Sequence, residues 1–346
     1  MYKPQQKINS FLGNFVYDQT IPTDHFLKKV DDVIDFSFID ELCKDVYQVN
    51  GRGRKPYQPS LLFKMLFLGF VYDISDRELE DQVNDRFSFK WFLGLSVDEA
   101  SPDHSTLSIF RERLGVDRFR EIFNEIVGIA KDRGLTDEKL KMVDATHILA
   151  DANYHKAKEK GDGNNTPPTS NSSDPDARIG FKRKDKPFYG YKSHQRIDTK
   201  VGIVEKIIVT PGNESDTIYL PDLIDDLEPD TAVTADQAYE TDYHDFICAQ
   251  KKLKPYMAIK SNRKDYHKEK RKSDPQYQAA LKLRSLYERT FGEAKQWHGM
   301  RRCRWRNRWK TEIQCLMTAS VQNIKRIVVY ANDPPRLHPL YEQYFS

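Results

Sequence analysis

Two short apolar runs in this chain are each interrupted by an aspartate, Asp144 in KMVDATHILAD and Asp236 in TAVTADQAYE. Runs of this length and composition read as buried strands. A carboxylate inside one costs several kcal/mol unless something compensates it. A fold built from this chain must therefore bring a counter-charge to both positions, and a bound divalent cation is the usual one. A third acid, Glu288 in LRSLYERTFGEAK, lies on a helical stretch studded with Arg and Lys. Three such carboxylates point to metal-dependent phosphoryl chemistry on a nucleic acid.

The first half of the chain is helical in pattern. PSLLFKMLFLGFVY opens with Pro59 at a helix start and is apolar nearly all round, as a buried helix is. SDRELEDQVND follows with a Ser cap and an acidic first turn. The short aromatic stretch RFSFKWFLGL and two amphipathic patterns, SPDHSTLSIFRERL and EIFNEIVGIAKDRG, complete an all-helical unit over about 20–135. Beyond it the period changes to two. Strands are expected at Leu140–Ala150, Phe188–Ile197, Gly202–Thr210, Thr231–Asp236 and Pro255–Lys260. Helices are expected at Asp216–Leu227, Thr241–Lys252, Gln276–Trp297 and Glu312–Tyr330. Ala157–Pro187, containing GDGNNTPPTSNSSDPDAR, reads as a long flexible loop.

The fold class is thus α/β, a mixed-sheet domain preceded by an all-helical one. The expected division is 1–55 (an arm and a short helix), 56–135 (helical), 136–335 (sheet domain, with the loop at 157–187 and a basic insertion at 261–277) and 336–346 (a tail).

The net charge is only +3, but it is unevenly placed. Glu214–Asp245 holds eleven acids and no Lys or Arg, Lys251–Lys272 ten bases against two acids, and Arg301–Lys310 six more bases interleaved with Trp305 and Trp309. Basic blocks on both sides of the Glu288 helix suit a polyanion running past an acidic site better than a merely solvated surface. The longest apolar run, Leu61–Tyr72, is broken by Lys64 and too short for a bilayer, and MYKPQQKINS has no secretory core. Cys43, Cys248, Cys303 and Cys315 lack metal-ligand spacing. A cytoplasmic, nucleoid-associated protein is expected.

These segments, in this order, resemble the DDE transposases of bacterial insertion sequences, of the insertion-sequence-four/five type. The resemblance is carried by PSLLFKMLFLGFVYDISDRELE, RFSFKWFLGL and PDHSTLSIFRERL in the helical part. In the sheet part it is carried by VDATHILADANYHK, DPDARIG with FYGYKSH, TPGNESD, TADQAYE, ERTFGEAKQWHGMRRCRWR and NIKRI. It implies an RNase H-like catalytic domain behind an N-terminal DNA-binding or dimerisation domain, with Ser105–Leu114 one candidate recognition helix. The family signature is Tyr, two residues, Arg, three residues, Glu, six residues, Lys. It fits Arg284, Glu288 and Lys295, whereas Glu293 is followed at the Lys position by Met300, and the Tyr position holds Leu281.

By this resemblance Asp144, Asp236 and Glu288 are the catalytic, metal-binding acids for two Mg²⁺ or Mn²⁺ ions. Asp144 would bridge the ions, with one held by Asp236 and the other by Glu288. Arg284, Lys295, Arg301, Arg302, Arg304 and Arg306 would contact DNA phosphates. The implied reaction is water-driven nicking at element ends followed by attack of a 3′-hydroxyl on double-stranded target DNA, carried out by a homo-oligomer on paired ends. A DNA-binding regulator that has lost strand transfer, or an RNase H-like nuclease without it, are the alternatives. His147, Asp151, His155 and His194 read as polar satellites, with Asp151 a reserve ligand. Trp297, Trp305 and Trp309 fit base stacking or core packing equally.

Overall fold

The computed structural model describes residues 11–47, 55–152, 173–183, 186–260, 272–331, 333 and 336–346. Seven helices come first: α1 (Phe11–Thr20), α2 (Phe26–Val33), α3 (Ser37–Leu42), α4 (Pro59–Val71), α5 (Asp76–Asp85), α6 (Phe87–Leu93) and α7 (His104–Asp132). Pro59 sits in the first turn of α4, where its missing N–H costs nothing, and almost every residue of that helix is buried. Ser75 caps α5 by accepting from the Glu78 amide, and Asp103 caps α7 through the Ser105 amide. Gly115, at φ 63° and ψ −177°, breaks α7, so its two amphipathic patterns form two rods.

The sheet contains β1 (Leu140–Leu149), β2 (Arg178–Arg183), β3 (Lys186–Asp198), β4 (Val204–Pro211), β5 (Ala232–Thr234) and β6 (Lys254–Pro255). Its order is β2-β3-β1-β5-β6, with β4 also paired to β3. β1 runs antiparallel to β3 and parallel to β5, which is in turn parallel to β6. This is the RNase H-like mixed sheet that the resemblance implies. β6 is shorter than expected, but the Tyr256 and Ala258 amides continue its ladder onto the Val233 and Ala235 carbonyls.

Three expectations need correction. First, β2 lies inside the stretch read as a flexible loop, and the DPDAR segment before it is anchored. Tyr191 donates its hydroxyl to Asp174 Oδ1 at 2.6 Å, Tyr189 donates to the Asp174 carbonyl at 2.8 Å, and the Arg308 amide donates to Asp176 at 3.0 Å. Second, the helix expected at Asp216–Leu227 is a 3₁₀ turn (Asp216–Tyr219) and the single turn α8 (Leu220–Leu223). Pro221 has no N–H to donate back, so it stands in the first turn of a new helix.

Third, the helix expected at Gln276–Trp297 divides into α10 (Pro275–Tyr287) and α11 (Arg289–Trp297), with Glu288 at the junction. The remaining helices are α9 (Asp242–Gln250), α12 (Arg308–Val329) and α13 (Pro339–Phe345). α12 packs against α7, α4 and β4. One continuous core runs from Leu27 through Phe67, Phe123, Ile148 and Val209 to Ile327. The helical unit and the sheet therefore share an interior.

Candidate active site

β1 and β5 are parallel neighbours with Met142 opposite Thr234. Two residues further along each chain stand Asp144 and Asp236, so the register brings both carboxylates to one level of the sheet. α10 packs across the same two strands. Its last turn carries Arg284, and the junction that ends it carries Glu288, whose Oε1 accepts from Arg284 Nη1 at 2.8 Å. Asp144 Oδ1 accepts from the Ala145 amide at 2.8 Å, and Asp236 Oδ1 from the Ala238 amide at 2.7 Å.

The three acids repel one another. Burial pushes the Asp144 carboxyl up to about 7. The Asp236 and Glu288 charges add to that rise, while the Ala145 amide and the Arg284 guanidinium oppose it. Among the described residues no salt bridge reaches Asp144 or Asp236. The site thus holds three hard oxygen donors with one nearby cation, a donor set that suits Mg²⁺ or Mn²⁺.

Among the described residues, only Glu80, Asp103 and His104 bring potential ligand atoms all within 4.8 Å of one another. That trio secures the start of α7: Glu80 accepts from the His104 amide at 2.8 Å and pairs with His104 Nδ1 at 2.6 Å. Asp144, Asp236 and Glu288 are spread more widely than this.

Glu293, the rival third acid, is engaged elsewhere. Lys325 Nζ lies 2.6 Å and Arg326 Nη2 3.3 Å from its carboxylate, and Gln322 donates to it at 3.2 Å. Burial pushes its pKa up, but His298, Arg326 and Lys325 overcome that and hold it well below the usual carboxylate range.

Among the basic residues, Lys295 is half-buried on α11, and Arg301, Arg302 and Arg306 are exposed. Arg302 donates to the Ala150 carbonyl and Arg306 to the Asp151 carbonyl, each at 3.2 Å. Arg304 is a correction, because it faces inward. It donates to the Ile74 and Gly69 carbonyls at 2.7 and 3.1 Å, pairs with Asp73 at 2.7 Å and lies 4.4 Å over the Phe70 ring. With Nη1 and Nη2 engaged by α4 and the turn after it, and Nε buried, Arg304 joins the helical unit to the sheet domain and does not present its guanidinium to a phosphate.

Trp305 packs beside Phe70 and beneath the Arg111 guanidinium, whereas Trp297 is 60% exposed. In the candidate recognition segment Leu107, Phe110, Arg111 and Leu114 are buried, and Ile109, Glu112 and Arg113 face outward. His194 is buried against Tyr219, and burial pulls it down to about 4, so it is neutral. His155 lies outside the described residues.

Sequence reasoning passed over Tyr239. It is 1% exposed, its hydroxyl has no hydrogen-bond partner among the described residues, and it feels the charges of Asp216, Asp144 and Asp236. Its place in TADQAYE, three residues after Asp236, was the available signal.

Two stretches of the chain match known families. Residues 15–113 match a family described as a transposase domain, and residues 136–324 match the transposase DDE domain. The chain belongs to the DDE transposase family. The pairing of the two domains is the architecture of bacterial insertion-sequence transposases, and the enzyme is a DNA transposase, a polynucleotidyl transferase.

Among solved structures, the transposase is similar to the piggyBac transposase in a synaptic complex with hairpin DNA. The identity is 11% over 94% of this chain and 76% of that one, with a TM-score of 0.42. It is also similar to the Mos1 strand transfer complex, at 10% identity over 81% and 80% with a TM-score of 0.20. No helix among the described residues is long and apolar enough to cross a membrane.

Proposed function

We propose that this transposase cuts DNA at the ends of a bacterial insertion sequence and joins the freed 3′-hydroxyl to target DNA, with Asp144, Asp236 and Glu288 as the catalytic acids. What supports this reading is that the β1–β5 register sets Asp144 and Asp236 at one level and that the charges of Asp236, Arg284 and Glu288 all act on the Asp144 carboxyl. When bound, Mg²⁺ or Mn²⁺ ions would activate the attacking oxygen and neutralise charge on the leaving one. Asp144, Asp236 and Glu288 would hold those ions.

Arg284 reaches the same place with a planar, permanently charged fork suited to a phosphate, and Lys295, Arg301, Arg302 and Arg306 extend the positive surface from it. The duplex is the substrate, and the chain works on paired ends as a homo-oligomer at the nucleoid. The decisive assay supplies labelled element ends, a supercoiled target and Mg²⁺. Joined products support the transposase reading. Cut ends without joined products would leave a nuclease, and end binding without cutting would leave a regulator.

A further inference from the structure

Beyond the carboxylates, three lysines gather around the imidazole of His147 near the end of β1, and Arg301 stands beside one of them, Lys295. Lys192 stands directly opposite His147 in the antiparallel β1–β3 register. Lys182 comes from β2, whose Gly180 pairs with Phe188, the residue whose ring lies 5.0 Å from that of His147. Lys295 comes from α11. Arg301 follows on a segment tied to β1, where the Leu149 amide donates to the Arg301 carbonyl at 3.0 Å and the Cys303 amide to the Leu149 carbonyl at 2.7 Å.

The crowding is visible in the protonation of the group. Burial, then Lys295, Lys182 and Lys192, pull His147 down to about 4. Burial, then Lys182 and Arg301, pull Lys295 down to about 8. No carboxylate acts on either. The other face of α11 carries Glu293, held by Lys325 and Arg326 of α12 and by His298.

Among the described residues Lys182, Lys295 and Arg301 have no salt bridge, and Lys192 alone has one, to Asp216 at 2.9 Å. Cations that serve the fold are interleaved with acids. Cations crowded without them destabilise the free protein and are relieved by an anion.

We propose that Lys182, Lys192, Lys295 and Arg301 form a seat for a DNA backbone phosphate distinct from the one being cut, with the β2–β3 hairpin supplying two of its four cations. This rests on the transposase reading. Three strand residues separate His147 from Asp144, about 10 Å at ~3.3 Å per residue. The seat therefore lies within reach of the backbone close to the cut. Seating it draws a proton onto Lys295.

The test measures binding of a random-sequence duplex by fluorescence anisotropy across a salt series. Lys182→Ala and Lys192→Ala should each weaken binding and flatten the log–log salt slope by about 0.9. Lys310→Ala, a lysine paired with Glu112 at 3.2 Å, should change neither. Lys182 is exposed and has no salt bridge among the described residues, so its removal leaves the fold intact.

Titration calorimetry near pH 8 in buffers of different ionisation enthalpy should show proton uptake by the wild type and none by Lys295→Arg. A neutral methylphosphonate scanned along an element-end duplex should weaken wild-type binding most at a single position near the cut and distinct from it. That loss should vanish in Lys182→Ala. Unchanged salt slopes, or a methylphosphonate profile identical in the variant, would overturn the seat while leaving the transposase reading intact. A wild-type chain that binds no duplex would overturn both.

Discussion

Three residues apart on β1, Lys141 and Asp144 occupy opposite electrostatic situations. Lys141 is completely buried, yet its ammonium lies 2.9 Å from Asp198 and 2.7 Å from Glu205. Glu205 also receives Arg196 Nε at 3.0 Å, and the same guanidinium donates to Asp226 at 2.5 and 3.0 Å. Burial pulls the Lys141 pKa down, but Asp198 and Glu205 more than offset it, and the lysine stays protonated. Asp144 has one backbone amide, two acids beside it and Arg284 as its counter-charge. The first group of charges holds the sheet together. The second is held in place by the sheet and awaits a partner from outside. Burial alone does not tell a structural charge from a working one; what matters is whether the protein supplies its complement.

The largest expected effect separates the two regions by activity. Asp144→Asn should lower divalent-dependent end cleavage by about 10³-fold or more, about 4 kcal/mol in the barrier, with end binding retained. Undiminished cleavage would remove Asp144 from the catalytic set.

The structural side is tested by Lys141→Met, which leaves Asp198 and Glu205 buried without their cation and should cost about 3–5 kcal/mol of stability. A urea midpoint equal to that of the wild type would show the network to be dispensable. The two glutamates repeat the contrast on a smaller scale. Glu293→Gln should lose about 1–3 kcal/mol in the same assay because Lys325 and Arg326 lose their acceptor. Glu288→Gln should leave stability unchanged and abolish cleavage. If the two outcomes are exchanged, the third catalytic acid is Glu293.

The contrast also has a pH signature. With chelator present, the folded chain keeps the Asp144 proton up to about 7, whereas an ordinary Asp releases it at 3.8. Between those values the native state binds more protons than the unfolded one, so stability falls as pH rises through the window. The expected loss is about 1–2 kcal/mol, reduced from the full shift because Asp144 is only half-buried. Thermal melts should show it in the wild type with chelator, and show it diminished with Mn²⁺ or in Asp144→Asn. A wild-type curve parallel to that of Asp144→Asn would mean that the carboxylate is not raised.

Much of this arrangement is legible in the sequence because local and tertiary preferences agree. Pro59 and Ser75 start helices where the capping rules put them, and β1, β3 and β4 fall within a few residues of their apolar runs. β2 was not legible. RIGFKR has the composition of a loop, and what makes it a strand is pairing with β3, which no local pattern records. The junction at Glu288 has no Gly or Pro to mark it. Arg304 lies in a basic, Trp-rich block typical of a nucleic-acid surface, and only the close approach of α4 turns it inward. Asp144 and Asp236 stood out because a carboxylate in an apolar strand violates the local rule, whereas Tyr239 obeys it and passed unnoticed.

Tyr239 therefore supplies the smallest test. A buried hydroxyl without a partner has lost its hydration and gained nothing in exchange, so removing it should not destabilise the fold. Tyr239→Phe should leave stability unchanged or raise it by up to about 1 kcal/mol, because the ring stays and only the unpaired oxygen goes. The gain should appear with chelator present, when Asp144, Asp236 and Asp216 act on the phenol with no cation between them. A measured loss of stability would mean that the hydroxyl is already bonded to one of those carboxylates in solution. Tyr239 would then belong with Lys141, among the charges and dipoles that hold the sheet.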